Sequence, residues 1–170
     1  SPTPTPSPSP TPERIVSEIL IEQIEHPSWI SESLTISANG KRVAYVVEDS
    51  DGQSVMVDGN EGQYYERIMT ASLTFSPDSQ RLAYAAKNDD KWFVVVDGIE
   101  GNEYDDIMEG SLIFSPNSKR LAYGARTAPT YMWFAVLDGR NLNLRWDLKG
   151  ERITFSPDSQ RLAYVAQMSN

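Results

Sequence analysis

FSPDSQRLAY, residues 75–84, recurs without change at 155–164, and FSPNSKRLAY lies between the two copies at 114–123. A weaker copy, ISANGKRVAY, precedes them at 36–45. The four starts are separated by 39, 39 and 41 residues. VDG at 57–59 and 96–98 and LDG at 137–139 keep the same steps, and Tyr65 with Ile68 returns as Tyr104 with Ile107. Independent markers that share one period are the signature of a repeat architecture. The two additional residues of the third step fall in 127–130, where Pro129 interrupts the pattern.

Each period reads as four short strands. In the second, residues 72–75 alternate, with Leu73 and Phe75 on one face. Ser76-Pro77-Asp78-Ser79 supplies a turn, Pro presetting φ and the Ser and Asp side chains bonding nearby backbone. Residues 81–86 return, with Leu82 and Tyr84 on one face and Ala83 and Ala85 on the other. A polar loop, 87–91, leads to a strand at 92–96 that is apolar on both faces. Asp97-Gly98 turns the chain, and 104–108 is expected as a fourth, more polar strand. Helix needs apolar residues three and four apart, and this alternation excludes it. A sheet that is apolar on both faces must be covered on both, and Leu/Tyr opposite Ala/Ala lets two such sheets approach closely. Large-small pairing returns at Leu121/Tyr123 with Ala122/Gly124, and at Leu162/Tyr164 with Ala163.

Four antiparallel strands every ~40 residues describe a β-propeller blade. FSPDSQRLAY together with KWFVVVDG (91–98) resembles the WD-repeat-like bacterial propeller motif with Ser-Pro-Asp turns, as in TolB-type proteins. The resemblance covers residues 34–168. It implies an all-β fold, a β-propeller built from four-stranded antiparallel blades of 39–41 residues, and speaks to fold rather than function. The expected blades are 33–69, 72–108 and 111–149, with a half blade at 152–168. The half blade leaves an unpaired strand edge, which invites self-association. Three arrangements are open: a four-bladed ring closed by the N-terminal region, a dimer joining two arcs, or a partial ring from a larger propeller.

Residues 1–12, SPTPTPSPSPTP, hold six of the eleven prolines and no charge. They are expected as a disordered, extended Ser/Thr/Pro-rich linker. Residues 13–30 read two ways. Thr11-Pro12-Glu13 resembles a helix start, and Ile15, Val16, Ile19, Leu20 and Ile24 follow helical spacing, so a helix over 13–24 is favoured with 26–30 extended. Alternatively, subtracting 78 from residues 92–97 lands on 14–19, and the segment supplies closing strands.

Fifteen basic against twenty-four acidic residues give a net charge of -9. That charge disfavours nucleic acid and anionic membrane surfaces as partners, and no apolar run approaches the ~20 residues of a membrane span. With no cysteine and one histidine, His26, thiol catalysis, Cys-ligated metals and two-histidine sites within one chain are excluded. No catalytic constellation, cofactor motif or metal site is read from the sequence. Residues 48–52 open like a calcium loop but lack its later acids, and read as a solvated hairpin. Arg42, Arg81, Arg120 and Arg161 recur with the turn and read as structural ion pairs or strand-end shields; a ligand-gripping ring is the rival.

Positions identical across repeats are explained by the shared fold, so function is expected where the repeats differ. The strand 2–3 loops at 49–53, 87–91 and 126–131 differ. Asp51, Asp89, Asp90, Arg126 and Tyr131 are the candidate partner-binding residues. The expected function is a non-catalytic scaffold for a protein or peptide partner outside the cytoplasm, with any targeting segment upstream of residue 1. The alternative is a substrate-gating propeller of a larger enzyme such as a prolyl-oligopeptidase-type peptidase.

Overall fold

The Ser-Pro-Asp-Ser turn closes on its own side chains. The Ser76 hydroxyl donates to Asp78 Oδ1 (2.5 Å) and accepts from the Arg81 amide (2.9 Å), while the Gln80 amide donates to the same Asp78 oxygen (3.1 Å). The set repeats at Ser37/Asn39/Arg42 and Ser115/Asn117/Arg120, and at Ser156/Asp158/Arg161. Ser79, Ser118 and Ser159 then take a left-handed conformation (φ 64°, 62° and 62°), where the weakest copy has Gly40. This costs a non-glycine residue energy, and the serine is retained because its hydroxyl is used elsewhere, as shown below.

The computed structural model describes residues 28–130, 132–142 and 146–168. The expected linker at 1–12 and the helix or closing strands expected at 13–24 lie outside the described residues. Within them the chain forms four antiparallel sheets in sequence order. The first contains β1 (Thr35–Ile36), β2 (Val43–Asp49), β3 (Gly52–Val57) and β4 (Asn60–Tyr65). The second contains β5 (Arg67–Ile68), β6 (Thr74–Phe75), β7 (Leu82–Asn88), β8 (Lys91–Val96) and β9 (Ile99–Tyr104). The third repeats it with β10 (Asp106–Ile107), β11 (Ile113–Phe114), β12 (Leu121–Arg126), β13 (Trp133–Leu137) and β14 (Arg140–Leu142). The fourth pairs β15 (Trp146–Phe155) with β16 (Leu162–Met168).

Two boundaries differ from the sequence reading. The fourth strand is 99–104, not 104–108, because IEGNEY is an edge strand with little to bury and carries no alternation. Residues 106–107 cross to the next sheet, pairing Asp106 with Arg126 and Ile107 with Ala125, as Arg67 and Ile68 pair with Lys87 and Ala86. Each sheet therefore begins about five residues earlier than the repeat markers suggested. Trp29 obeys the same rule, bridging Val47 in the first sheet.

The first strand of the second sheet is split, and a buried serine spans the gap. Ser72, in a one-turn 3-10 helix (Thr70–Ser72), donates to the Met69 carbonyl (2.6 Å) and accepts from the Ala85 amide (2.8 Å). Ser33 and Ser111 do the same for Val46 and Gly124. The fourth repeat has Arg152 at this position, and β15 runs through with a register shift between Leu148 and Ile153.

Neighbouring sheets bury one continuous core each. Ala44 and Val46 of the first sheet meet Leu82, Tyr84 and Phe93 of the second. Ala83, Ala85 and Val94 meet Leu121, Tyr123 and Phe134 of the third. Ala122 and Ala135 meet Ile153, Phe155, Leu162 and Tyr164 of the fourth. The large face of each sheet thus fills against the small face of the one before it. At about 1.5–3 kcal/mol for each large apolar side chain fully buried, these contacts dominate the stability. Gly124 is the tightest point: a Cβ there would stand 2.9 Å from Met108 Cβ and 3.2 Å from Leu148 Cδ2. Gly124→Ala is therefore expected to lower stability by roughly 1–3 kcal/mol through overpacking, read as an earlier urea midpoint at unchanged slope. An unshifted midpoint would mean that the sheets do not pack this closely in solution.

Candidate partner-binding surface

The repeated charges are consumed inside the fold. Arg42 Nε pairs with Asp58 (2.7 Å), Arg81 with Asp97 (2.8 Å) and Arg120 with Asp138 (2.9 Å). The other oxygen of each aspartate accepts the amide of Val43, Leu82 or Leu121 at 3.0 Å. These aspartates sit with φ near 50° ahead of a glycine also at positive φ, the two-residue hairpin geometry that favours Asp-Gly. The arginines also reach the following sheet. Arg42 donates to the Gln80 carbonyl (2.8 Å) and stacks over Phe75, and Arg81 stacks over Phe114. The ion-pair reading of these arginines holds for the three copies whose partner aspartate is described, and the guanidinium groups of Arg42 and Arg81 also link neighbouring sheets.

The turn serines staple the same interfaces. Ser79 Oγ accepts the Asn39 amide (3.1 Å), Ser118 Oγ the Asp78 amide (3.0 Å) and Ser159 Oγ the Asn117 amide (3.0 Å), each across a sheet boundary. Sequence reading took these serines for local turn residues. The signal that was available is their retention at a position where glycine is the easier choice.

The opposite end of the sheets carries the non-repeating loops. Asp51 is exposed in the turn between β2 and β3, its amide donating to Asp49 Oδ1 (2.8 Å). Gly52 closes that turn at φ 128°, and a Cβ there would lie 2.4 Å from the Tyr65 carbonyl oxygen, so only glycine fits. Tyr64 donates to Asp49 Oδ2 (2.7 Å) and Glu61 (2.6 Å), and the two carboxylates, Glu61 foremost, hold its phenol well above the usual range. Asp89 and Asp90 form the turn between β7 and β8 with φ 46° and 63°, both exposed. Lys87 reaches Asp90 at 3.0 Å, but that carboxylate remains almost wholly in solvent. Arg126, at the end of β12, pairs with Asp106 (2.7 Å) and lies over the Trp133 ring (4.9 Å). Tyr131 lies outside the described residues.

Loops of adjacent sheets are joined on this end. The Glu66 amide donates to Asn88 Oδ1 (2.9 Å), the Ile68 amide to Gln53 Oε1 (2.6 Å) and the Ala128 amide to Asp105 Oδ2 (2.6 Å). Lys91 also donates to Asp105. Asp51, Asp89 and Asp90 thus project from a braced rim, whereas Arg126 is held within the third sheet. Arg67 escaped the sequence reading. It is exposed, lies directly across from Lys87 in the β5–β7 ladder, and makes no ion pair among the described residues. The corresponding residues are the ion pair Asp106/Arg126 in the third sheet and Ser28/Glu48 in the first. Like charges facing each other are unfavourable, so this rim position differs from its copies in chemistry as well as sequence.

A concavity of about 690 Å³ lies between the first and second sheets, lined by Val55, Val57, Leu82 and Tyr84 together with Arg42 and Asp97. Tyr65 lines it with a buried hydroxyl that makes no hydrogen bond among the described residues, and burial raises its pKa. One interface further on, the equivalent Tyr104 donates to Asn141 Oδ1 (3.0 Å). Among the described residues no group of three or more His, Asp or Glu side chains is arranged to hold a metal ion, and no helix is long and apolar enough to cross a membrane.

Two measurements check this assignment. Asp97→Ala leaves the Leu82 amide and the Arg81 guanidinium without their shared partner, and is expected to cost about 1–3 kcal/mol; Asp89→Ala, at the exposed turn, is expected to change stability by under about 0.5 kcal/mol. The turn carboxylates also set an acid limit. The Ser76 hydroxyl first, then the Gln80 amide, hold Asp78 below the ordinary 3.8; Ser156 does so for Asp158, and Lys91 for Asp105. Folded values below unfolded ones mean stabilisation that is present above pH 3.8 and lost as pH falls through the lowered values. The thermal midpoint is expected to hold down to pH 4 and drop below it, with NMR titration midpoints for Asp78 and Asp158 under 3.8; midpoints at or above 3.8 would contradict the turn geometry.

No family model matches the sequence, and no curated protein matches it. Among solved structures, the chain is similar to Kuenenia stuttgartiensis hydrazine synthase, with a TM-score of 0.45 and 12% identity over 76% of this chain. It spans about half of that chain, 47%.

Proposed function

We propose that the four sheets are blades of a β-propeller of the TolB-like kind, and that the propeller is a non-catalytic scaffold presenting its loop rim to a protein or peptide partner. One observation carries the proposal: the repeated polar side chains are spent on turns and sheet-to-sheet links, while Asp51, Asp89 and Asp90 stand exposed on loops that differ between repeats. Asp51, Asp89 and Asp90, with Arg67 and Lys87 between them, give a surface of mixed sign on turns braced by hydrogen bonds from neighbouring sheets. Charge complementarity of that kind sets partner choice and association rate more than raw affinity. The net charge of -9 directs the scaffold away from nucleic acid and anionic lipid. The Ser/Thr/Pro composition of residues 1–12 suits a spacer, which supports reading the scaffold as one that works outside the cytoplasm, in the periplasm or at the cell surface.

The test is peptide selection on the immobilised chain, followed by titration of the selected peptides. Asp51→Lys, Asp89→Lys and Asp90→Lys combined are expected to weaken binding at least tenfold and to leave the unfolding midpoint within about 0.5 kcal/mol of wild type. Peptides that bind the triple variant undiminished would remove the rim from consideration. Hydrolytic turnover by the purified chain, abolished by a change in these loops, would overturn the scaffold reading itself.

A further inference from the structure

Two equivalent grooves lie at successive sheet boundaries, and they differ. The groove between the first and second sheets takes up about 690 Å³, and the one between the second and third about 400 Å³. Their linings match through the repeat: Val55, Leu82 and Tyr84 of the first stand where Val94, Leu121 and Tyr123 of the second stand. Two hydrogen bonds cross the second groove. Asn102 Nδ2 donates to the Gly139 carbonyl (2.8 Å) and the Tyr104 hydroxyl to Asn141 Oδ1 (3.0 Å), each tying β9 to the third sheet.

The first groove has the frame for both bonds. Gln63 stands in the place of Asn102, and Glu100 in that of Asn141. Among the described residues neither bond has a counterpart here, and the hydroxyl of Tyr65, a residue only 2% exposed that lines the groove, is left without a partner. Burial foremost, with the nearby Glu100 carboxylate adding to it, raises the pKa of that phenol. An unpaired buried hydroxyl is costly to a fold, and the next boundary shows how this fold pairs it. Both acceptors that close the second groove are amide oxygens, one of the backbone and one of a side chain. What Gln63 and Tyr65 lack is an amide oxygen facing them. Charge narrows the choice further. Arg42, the cation in the lining, is already paired with Asp58, while Glu61 and Asp97 also line the groove. An anionic ligand meets like charge there, whereas a neutral amide accepts from Gln63 and Tyr65 and donates its N–H to Glu100.

We infer that the groove between the first and second sheets binds a short neutral peptide segment, with an apolar side chain against Val55, Val57 and Leu82, carbonyl oxygens accepting from Gln63 and Tyr65, and an N–H donated to Glu100. A volume of this size is that of a ligand site, and a few polar groups among apolar walls are its usual chemistry. The peptide takes up the two bonds that the second groove makes within the chain. The site is separate from the rim loops: Asp97 and Gly98 in its lining form the turn between β8 and β9, at the end of the sheets opposite Asp51, Asp89 and Asp90. It therefore stands independently of whether those loops bind a partner.

The probe is the blocked peptide acetyl-Ala-Leu-Ala-amide, titrated into the isotope-labelled full chain and followed by backbone amide NMR shifts. Saturable shifts are expected at Gln63, Tyr65, Gly98 and Glu100 and not at Asn102 or Tyr104, with a Kd on the order of 1 mM. Acetyl-Glu-Leu-Glu-amide, with the same backbone and added negative charge, is expected to bind roughly tenfold more weakly. Tyr65→Phe keeps the ring packing and removes the hydroxyl. It is expected to weaken the probe roughly fivefold without lowering the urea midpoint, whereas Tyr104→Phe, which breaks a bond already made, lowers the midpoint. Exchanging the closing residues is the reciprocal test. Gln63→Asn with Glu100→Asn is expected to abolish binding at the first groove, and Asn102→Gln with Asn141→Glu to create it at the second. Absence of saturable shifts in the unmodified chain, equal shifts at both grooves, or shifts confined to the loops that carry Asp51, Asp89 and Asp90 would each overturn the inference. Undiminished binding to Tyr65→Phe would do so as well.

Discussion

The structure depends on a sheet with unequal faces. Leu82 and Tyr84 on one side and Ala83 and Ala85 on the other mean that a single sheet has no stable resting state in water, since both faces are apolar and only one is deep. Stacked, the large face of each sheet fills the shallow face of the one before, and the alanines reach 0% exposure. The edge-to-face rings that line the seams, Tyr65 with Tyr84 and Tyr104 with Tyr123, belong to this packing and add about 0.5–1.5 kcal/mol per pair beyond area burial. Because the burial is nearest-neighbour, order propagates sheet by sheet.

Polar chemistry sets the orientation that apolar packing leaves free. Two alanine-lined and leucine-lined faces can slide over each other at little cost. A serine hydroxyl held at positive φ, accepting an amide of the preceding sheet, cannot. The same holds for an arginine that pairs with its own aspartate and donates to the next sheet's carbonyl. Net gains from such bonds are of order 1 kcal/mol each, small beside the core, but they select one register among many. This explains why Ser79, Ser118 and Ser159 persist where glycine is conformationally easier.

Much of the fold was legible because the repeat printed it three or four times. Periodicity gave the strand type, Pro-Asp and Asp-Gly gave the turns, and the Leu-Ala-Tyr-Ala alternation gave the facing of each strand. What could not be read was where one sheet ends and the next begins. IEGNEY has no buried face to declare itself as a strand, and residues 106–107 look like its continuation while pairing elsewhere. The serine bridges at Ser33, Ser72 and Ser111 were equally hidden, since a buried hydroxyl spanning a split strand has no pattern in one dimension. The candidate loops were located by their variability alone. Sequence had no means of separating Arg126, tied to Asp106 and Trp133, from Asp89, which projects into solvent.

That separation bears on how the proposed scaffold would acquire specificity. The cross-strand position at the start of each sheet is occupied by Ser28 and Glu48, then Arg67 and Lys87, then Asp106 and Arg126. The backbone holds these three pairs in equivalent places, so their differences are differences of charge on a common frame: one anion, two cations, and a neutralised pair. The third pair is an ion pair within its own sheet. The second is not, since Arg67 and Lys87 carry like charge and, among the described residues, only Lys87 finds a carboxylate, on the exposed Asp90. In the proposed scaffold, an anionic group arriving from a partner would relieve that repulsion, and the neighbouring Asp51, Asp89 and Asp90 would restrict which anionic surfaces could approach. On the proposed reading, a rim that is under-neutralised in one repeat and balanced in the next would select partners by the placement of charge on a common frame.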